Sequence, residues 1–300
     1  CSSDLNQYFC AIIEPEQGNY VATIAKIDQN NSEISLTPGE ALIVEPGKTI
    51  EQKFRIYLGP LDLKTIQGAN PGWAAAVNYG FFSSISGVLL QLLEFFYRLV
   101  HNWGLAIIIL SLAIFFLLFP LSLKQMRSMK EMQALQPAIE ELRKTYKDNP
   151  QKLHKETLEL YKAHKVNPFG GCLPLILQMP IFFALYQALI RSVALKGASF
   201  LWISDLSQPD KLFILPVSLP LIGNEFNILP ILMAVIMFVQ QKISMGHINS
   251  DQAEQQKIMM IIMPFMFGFI FYHMPAGLVL YWFVNSLLMA AYQFRVNRAK

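Results

Sequence analysis

The fold is decided by one stretch, Asn167–Phe182, which reads NPFGGCLPLILQMPIF. It joins a basic polar segment to an apolar run of membrane-spanning length through a lead-in rich in proline and glycine. Pro180 lacks a backbone donor and Gln178 brings a side-chain amide into the apolar run, so both need surroundings that lipid does not provide. We therefore expect this segment to face protein or a wet cavity rather than to serve only as an anchor.

Composition places the chain among integral membrane proteins. Apolar residues make up 53% of it, charged residues 15%, and the mean hydropathy is +0.36, whereas soluble domains are normally less apolar and more charged. A membrane-spanning helix needs about 20 predominantly apolar residues. We expect a mainly α, polytopic membrane protein with a five-span helical core. The five runs, of which the third is short but preceded by apolar residues, are Leu105–Leu121, Phe169–Ile190, Asn227–Val239, Ile258–Met274 and Ala276–Phe294.

Lysine and arginine predict the orientation of these spans. The segment Ser122–Asn167 carries ten of them, whereas Arg191–Phe226, on the other side of the second span, carries three. Cytoplasmic loops are enriched in lysine and arginine, so the first segment is predicted to be cytoplasmic. With five spans, the N-terminal region then lies outside and the C-terminus inside.

The N-terminal region has the pattern of β structure. Turn residues follow one another at Pro38-Gly39 and Pro46-Gly47. Apolar and polar residues alternate around them at Ile34 and Leu36, at Leu42 and Val44, and at Phe54, Ile56 and Leu58. We assign residues 1–75 to a small extracytoplasmic β region. It is too short for a sandwich of its own, so we expect a larger N-terminal portion before Cys1; a processed lipoprotein start is the alternative.

Residues 76–102 are expected to form an amphipathic helix at the outer membrane interface. Within Phe81–Val100, the polar residues Gln91, Glu94 and Arg98 share a helical face opposite a set of leucines. The alternative is a further span, which would move the β region to the cytoplasm.

The remaining residues, 103–300, are assigned to the five-span core, which includes a cytoplasmic helical hairpin at 122–167. Apolar residues recur with heptad-like spacing from Leu135 to Tyr146, and Asn149-Pro150 interrupts the pattern before a second helix. The charged faces of this hairpin suit either a solvated surface near anionic lipid or a docking surface. Candidate docking residues, here and in the C-terminal tail, are Arg127, Lys130, Arg143, Lys144, Arg295 and Arg298.

The chain shows no catalytic pattern. Its five histidines are dispersed without metal-ligand spacing, and the sequence has neither a phosphate-binding glycine loop nor a nucleophile elbow. We therefore expect no enzyme activity, no metal and no cofactor. We also expect no small-molecule substrate and no sequence-specific binding of nucleic acid.

Polar residues within the spans mark a candidate groove. Ser111 lies in the first span, Gln178 in the second, and Tyr281 and Asn285 in the fifth. No Asp, Glu, Lys or Arg lies near the centre of any span, and this argues against an ion-coupled transporter. The alternative role for these residues is packing between helices, through hydrogen bonds worth less than about 2 kcal/mol each.

Several short motifs occur in the order found in the YidC/Oxa membrane-protein insertases. They are Asn102-Trp103-Gly104, Phe119-Pro120-Leu121, Leu135-Gln136-Pro137, Asn167–Cys172, Gln178–Phe182, Leu201-Trp202-Ile203 and Pro275–Trp282. From about Trp103 to the C-terminus the chain resembles this family. Upstream, Gln7-Tyr8-Phe9 and Leu58-Gly59-Pro60 resemble the end of the periplasmic β-sandwich of Gram-negative YidC.

The resemblance implies an inner-membrane insertase and membrane chaperone with a periplasmic N-terminal region. Such a protein moves hydrophobic segments of nascent proteins into the membrane through a polar groove open to cytoplasm and lipid, without nucleotide hydrolysis. Its implied partners are nascent membrane proteins, membrane lipids, the Sec translocon and the ribosome. The implied groove residues are Ser111, Phe115, Gln178, Tyr281, Trp282 and Asn285.

One groove position departs from the family pattern. Family members typically carry an arginine in the middle of the first core span, and gap-free counting between Trp103-Gly104 and Phe119-Pro120-Leu121 places Phe115 there. Without that charge, we expect negatively charged client tails to be handled poorly and strongly apolar spans to be affected less. A transporter or flippase for small molecules or lipids, and a non-inserting assembly scaffold, stay open as alternatives.

Overall fold

A computed structural model describes residues 2–4, 8–26, 32–76, 82–147, 149–166, 173–219, 223–245 and 252–298. The chain folds as two compact units. The first comprises Cys1–Asn78 with Arg191–Val193, and the second Tyr79–Ile190 with Ala194–Lys300. The expectation of a mainly helical chain with a small N-terminal β region is confirmed.

The first unit is built from antiparallel strands. Strands β1 (Ser2–Asp4), β2 (Phe9–Pro15) and β5 (Phe54–Pro60) form one sheet in the order β1-β2-β5, and β3 (Tyr20–Lys26) pairs with β4 (Ser32–Pro38). Helix α1 (Leu63–Ala69) follows, capped by the Asp62 side chain, which accepts a hydrogen bond from the Thr65 backbone N–H. A 3₁₀ turn covers Pro71–Ala76. A small core results, formed by Cys10, Ile12, Leu61 and Ile66.

One predicted strand is wrong. Leu42 and Val44 lie in an irregular connection between β4 and β5, where both side chains are exposed. The run from Leu42 to Val44 covers three residues with apolar Ile43 between them. Such a short run forms a strand only where a neighbouring strand pairs with it, and β5 pairs with β2 instead. Strands β1 and β2 lie within the predicted β region, residues 1–75, but precede the alternating pattern quoted for it.

The second unit carries most of the helices. They are α2 (Ser83–Val100), α3 (Trp103–Ala134), α4 (Gln136–Thr145), α5 (Pro150–Ala163), α6 (Leu173–Arg191), α7 (Ile228–Met245), α8 (Gln252–Phe271) and α9 (Ala276–Arg298). A 3₁₀ turn at Val193–Leu195 and a hairpin of β6 (Phe213–Leu219) and β7 (Gly223–Phe226) lie between α6 and α7. The five predicted runs thus correspond to α3, α6, α7, α8 and α9. The lead-in Asn167–Cys172 lies outside the described residues.

Three described helices are long and apolar enough to cross a membrane, over Ser83–Val100, Trp103–Met132 and Ala276–Val296. Three shorter apolar segments, Gln178–Ile190, Ile228–Ile243 and Ile261–Phe271, belong to α6, α7 and α8. Helix α2, expected at the membrane interface, therefore also meets the length and composition of a span.

Helix α3 extends past the predicted end of its span at Leu121 and continues to Ala134. Asn102 caps its start by accepting a hydrogen bond from the Leu105 N–H at 3.0 Å, and His101 turns the chain in a left-handed conformation. Pro120 lies in the interior of this helix without ending it. Beyond it, α4 and α5 pack against each other through buried Leu135 and Ile139 and partly buried Leu160 and Tyr161.

Helix α9 lies at the centre of the second unit. It packs against α3 and α7, while α8 packs on α7 and α2 on α3. Its first nine residues, Ala276–Val284, are almost all buried. The apolar core of the unit therefore forms around the N-terminal half of α9.

Candidate functional site

Helices α3 and α9 run parallel and touch along much of their length. Near their starts, the Gly277 backbone lies against Ile107, since a Cβ at Gly277 would come within 3.1 Å of the Ile107 Cδ1. Near the middle of α3 and towards the C-terminal end of α9, the rings of Phe119 and Tyr292 meet edge to face at 4.9 Å. Groups between these two levels on facing surfaces are therefore neighbours.

Two side-chain stripes lie between those levels. On α3, Ser111, Phe115 and Phe119 are spaced four residues apart, and on α9, Tyr281, Asn285 and Tyr292 recur at i, i+4 and i+11. Both spacings keep side chains on one face of a helix. We call these six residues the groove stripe.

Gln178 joins the groove stripe from α6. Its Nε2 donates a hydrogen bond of 2.5 Å to the hydroxyl oxygen of Tyr281, which is fully buried. The expectation that Gln178 needs a polar partner inside the apolar run is met by this contact. The structure thus brings Gln178, Tyr281 and Asn285 together, with Pro180 in the same helix.

Ser111 and Asn285 bond within their own helices. The Ser111 hydroxyl donates to the Ile107 carbonyl at 2.7 Å, and the Asn285 amide donates to the Tyr281 carbonyl at 3.0 Å. Ser111 is fully buried and Asn285 half-buried. A side chain bonded to its own backbone keeps its bond when helices separate, so both residues can face a groove without holding it shut.

Phe115 occupies the middle of the α3 half of the groove stripe. Its ring lies 5.7 Å from that of Phe116 and 5.6 Å from that of Phe119, and Phe119 continues the aromatic row to Tyr292 on α9. Phe115 is half-buried, while Phe116 is 66% exposed. The position is therefore apolar and aromatic.

Trp282 lies apart from the groove stripe. It follows Tyr281 by one residue, about 100° around the helix, and its ring lies 5.5 Å from Phe182, 5.3 Å from Phe271 and 5.7 Å from Phe267. It thereby joins α6, α8 and α9 through an aromatic cluster. This placement indicates a packing role for Trp282, although the sequence grouped it with the groove.

The site carries no formal charge. The sequence has no Asp, Glu, Lys or Arg in Leu105–Leu123, in Leu173–Ile190 or in Ala276–Phe294. Attraction of a charged ligand by formal charges within these three segments is excluded. The site instead presents hydroxyl and amide groups beside aromatic rings, which suits an apolar chain carrying occasional polar groups.

The docking candidates lie at the helix ends. Arg127 and Lys130 are on the extension of α3, and Arg143 and Lys144 occupy the last turn of α4. Burial raises the pKa of the Tyr161 hydroxyl above its ordinary value, and Arg143 opposes that rise, so Arg143 lies near the core shared by α4 and α5. Two further exposed candidates, Arg295 and Arg298, are in the last turn of α9.

Sequence reasoning missed a polar network at the opposite end of the unit. The loop 198–211, here called the capping loop, accepts hydrogen bonds from the first turns of two helices. Leu206 and Gln208 carbonyls accept from the Gly277 and Ala276 N–H groups at 2.9 and 2.7 Å, which caps α9. One signal in the sequence is the acidic residue Asp210, which precedes the apolar run that starts at Leu212.

Asp210 caps the second helix, α7. One of its oxygens, Oδ2, accepts from the Leu229 N–H at 2.6 Å and from the Trp202 indole at 3.4 Å. Its other oxygen, Oδ1, is buried without a hydrogen-bond partner among the described residues. Burial raises the pKa of the Asp210 carboxyl above its ordinary value, and the hydrogen bonds from Leu229 and Trp202 partly offset the rise.

Comparison with known proteins assigns the chain to a family. Residues 95–300 match the family described as "60Kd inner membrane protein". The chain belongs to this family. Residues 4–92 match the family described as "YidC periplasmic domain", in agreement with the resemblance seen in the sequence.

Individual members of the family are similar along nearly the whole chain. A "Membrane protein insertase YidC" of Geotalea daltonii is 39% identical over 99% of this chain and 53% of its own length. One of Syntrophobacter fumaroxidans is 41% identical over 98% of this chain and 52% of its own. The chain therefore spans about half the length of the curated relatives it matches.

A solved structure shows the same fold. It is described as "Active YidC insertase crystal structure with the first transmembrane domain resolved", and it matches with a TM-score of 0.56 at 27% identity. The match covers 81% of this chain and 56% of the other.

Proposed function

We propose that this protein is a membrane protein insertase and membrane chaperone, which moves hydrophobic segments of nascent proteins into the inner membrane. The observation that supports this most directly is the uncharged groove stripe between α3 and α9, joined by Gln178 from α6. Relatives named as membrane protein insertases support the same function.

The mechanism follows from the chemistry of the groove stripe. A polar stretch of a client loses hydrogen bonds to water when it enters hydrocarbon, at a cost of about 2–7 kcal/mol per unpaired group. Hydroxyl and amide groups at Tyr281, Gln178 and Asn285 can replace part of those bonds. Phe115 and Phe119 offer apolar contact to the hydrophobic part of the client, whose transfer into lipid drives the reaction without nucleotide hydrolysis.

The proposed topology has five spans, formed by α3, α6, α7, α8 and α9. In this arrangement α4 and α5 form a cytoplasmic hairpin at 122–167, residues 1–75 form a periplasmic β region, and residues 76–102 contain a helix at the outer interface. Residues 103–300 form the insertase core. The charge difference between Ser122–Asn167 and Arg191–Phe226 supports this orientation.

The basic helix ends are the proposed docking sites. Arg127, Lys130, Arg143 and Lys144 would meet the ribosome or the nascent chain, together with Arg295 and Arg298. Exposure of most of these side chains supports the assignment. The Sec translocon is a further proposed partner, and membrane lipid receives the product.

Insertion into liposomes tests the function. The purified chain is reconstituted and given a short single-span client with a neutral tail, and protease protection of that tail measures insertion. The double variant Gln178→Leu, Ser111→Ala is expected to reduce protection severalfold, because it removes the cross-helix bond and a groove hydroxyl. The matched control is the double variant Gln187→Leu, Ser84→Ala, which should insert the client as well as the native chain does. Equal protection by both variants would contradict a working groove.

The Phe115→Arg variant tests client choice. Arginine at this position places a positive charge beside the groove stripe, so we expect it to increase insertion of clients with acidic tails. Neutral-tailed clients should insert equally well with the native chain and with the variant. Protection of neutral clients only after the substitution would instead mark this chain as a chaperone or scaffold.

A further inference from the structure

The hairpin of β6 and β7 exposes an unusual amount of apolar surface. The Ile214 side chain is 70% exposed, Val217 is 66% exposed and Phe213 is 46% exposed. The Phe213 ring also stacks on Phe226 at 4.6 Å with 12° between the ring planes. An isolated two-stranded hairpin is only marginally stable in water, and such an apolar patch normally marks a contact surface.

Charge is confined to the base of the hairpin. The Glu225 carboxylate pairs with the Lys211 ammonium at 2.8 Å, where the hairpin leaves the capping loop. The strand Phe213–Leu219 contains no charged residue. A surface that is apolar along one strand and polar at its base suits the boundary between water and lipid better than an aqueous protein contact.

Hydrogen bonds fix the hairpin to the helix ends. The Asn227 side chain donates to the Tyr272 carbonyl at 2.8 Å, and the Tyr272 hydroxyl donates to the Glu225 carbonyl at 2.8 Å. The Leu212 N–H donates to the Phe226 carbonyl at 2.9 Å and closes the base. The hairpin therefore has a defined place at the N-terminal end of α7, beside the C-terminal end of α8.

The apolar surface continues from the hairpin onto α7. Ile231, Leu232 and Val235, within the first two turns of that helix, are 41%, 37% and 56% exposed. In a membrane-spanning helix, exposed side chains of this kind contact acyl chains. A hairpin has unpaired backbone groups along its edges, which hydrocarbon does not tolerate, so its depth is limited to the headgroup region.

We propose that the β6–β7 hairpin is a lipid-binding anchor. Phe213, Ile214 and Val217 enter the headgroup layer and the adjoining acyl chains of the leaflet next to the N-terminal end of α7. The anchor holds this end of α7 and the capping loop at the membrane surface. The inference rests on the placement of α7 across the membrane in the proposed function, and it applies to whichever leaflet lies at that end.

Depth-dependent fluorescence quenching tests the anchor. Cys1, Cys10 and Cys172 are replaced by alanine, and a single cysteine is introduced as Val217→Cys. An environment-sensitive dye is attached, and the full chain is reconstituted into vesicles of neutral phospholipid. Some vesicles carry lipids with a nitroxide near the headgroup and others carry lipids with a nitroxide near the end of the acyl chain.

Two matched labels calibrate the depth. Val235→Cys on α7 is seven residues beyond Ile228, the first residue of the helix, and therefore about 10 Å farther along the helix axis. Lys147→Cys lies in the exposed turn after α4. At Val217→Cys the shallow nitroxide should quench about twofold more than the deep one, since interfacial segments enter only about 5–10 Å. At Val235→Cys the deep nitroxide should quench a larger fraction of the fluorescence than it does at Val217→Cys. At Lys147→Cys aqueous iodide should quench most. An Ile214→Cys label repeats the measurement if the first variant folds poorly.

Three results would overturn the anchor. Iodide quenching at Val217→Cys equal to that at Lys147→Cys would place the hairpin in water. Protection from iodide and from both nitroxides would mean that protein covers the hairpin. Quenching of Val217→Cys by iodide together with no lipid quenching at Val235→Cys would show that α7 does not cross the membrane, which separates failure of the topology from failure of the anchor.

Discussion

The capping loop uses its polar groups in a different way from Ser111 and Asn285 of the groove stripe. In the capping loop, Leu206, Gln208 and Asp210 bond to backbone N–H groups of other elements at 2.6–2.9 Å and thereby join α7 and α9. In the groove stripe, Ser111 and Asn285 bond within their own helices. Hydrogen bonds between elements resist separation, whereas bonds within one helix do not.

The second unit therefore has hydrogen bonds between its elements at the capping loop, whereas Ser111 and Asn285 in the middle of the unit add none between the described parts of α3 and α9. Separation of α3 from α9 at the level of Phe115 would break the ring contact of Phe119 with Tyr292, while the capping loop keeps the starts of α7 and α9 together. The proposed insertion of a client segment needs such an opening. The contrast therefore predicts large stability losses from changes near the capping loop and small ones from changes in the groove stripe.

The largest loss is expected from Gly104→Ala. A Cβ there would lie 2.0 Å from the Cγ of Phe200, next to the capping loop, so the ring or the backbone must move. Overpacking of this kind costs about 1–3 kcal/mol. Thermal unfolding in detergent should show a lower Tm. The control is Gly87→Ala in α2, where no atom lies within 4 Å of the new Cβ and helix propensity favours alanine by about 0.5–1 kcal/mol. Similar losses in both variants would contradict the close contact with Phe200.

Asp210→Ala is expected to cost about 1–2 kcal/mol, because the first turn of α7 loses its cap. Asp210→Asn keeps an acceptor for the Leu229 N–H and should lose less. The same unfolding measurement compares the two variants. Equal losses for Asn and Ala would show that the negative charge, and not the hydrogen bond, stabilises this end of the unit.

The pH dependence of the native chain should report the buried Asp210 carboxyl. Its pKa in the folded protein lies above the ordinary value of 3.8. The folded state then binds the proton more tightly than the unfolded state, so this contribution to stability is complete below 3.8 and is lost as pH rises through the raised folded value. Tm values across this range should fall with rising pH less steeply for Asp210→Asn than for the native chain. Parallel profiles would contradict the raised pKa.

The smallest stability change is expected from Gln178→Leu. A hydrogen bond between membrane helices contributes on average about 0.6 kcal/mol, and leucine restores apolar contact. Tm should therefore change little while insertion falls. Gln187→Leu on the same helix serves as the control for both measurements. A large drop in Tm for Gln178→Leu alone would mean that the Gln178–Tyr281 bond holds the groove shut.

Much of the fold was predictable from the sequence because membrane helices have a strong local signal. A long run of apolar residues indicates a helix in lipid, since its backbone groups must bond internally. The five runs were found in this way, as were α4 and α5, from spacing and the Asn149-Pro150 break. Strands have a weaker local signal, because strand formation depends on a partner elsewhere in the chain. The strand predicted at Leu42 and Val44 was wrong for this reason.

The candidate site was only partly predictable. Gln178, Tyr281 and Asn285 stood out as polar residues in apolar runs, but the sequence does not reveal which partner each one meets. Trp282 was grouped with them, and the structure places it in an aromatic cluster with Phe182 and Phe271. Neighbouring residues on a helix face different directions, and only the packing of three helices decides which direction is the groove.

The sequence by itself determined the class of protein, its apolar segments, its charge asymmetry and its family resemblance, because each depends on residue type and order along the chain. The tertiary structure decided the pairing of Gln178 with Tyr281, the ring contact of Phe119 with Tyr292 and the capping of α7 and α9 by one loop. The first of these features joins residues 103 positions apart. Distances of that kind are set by how helices pack, and no local pattern encodes them.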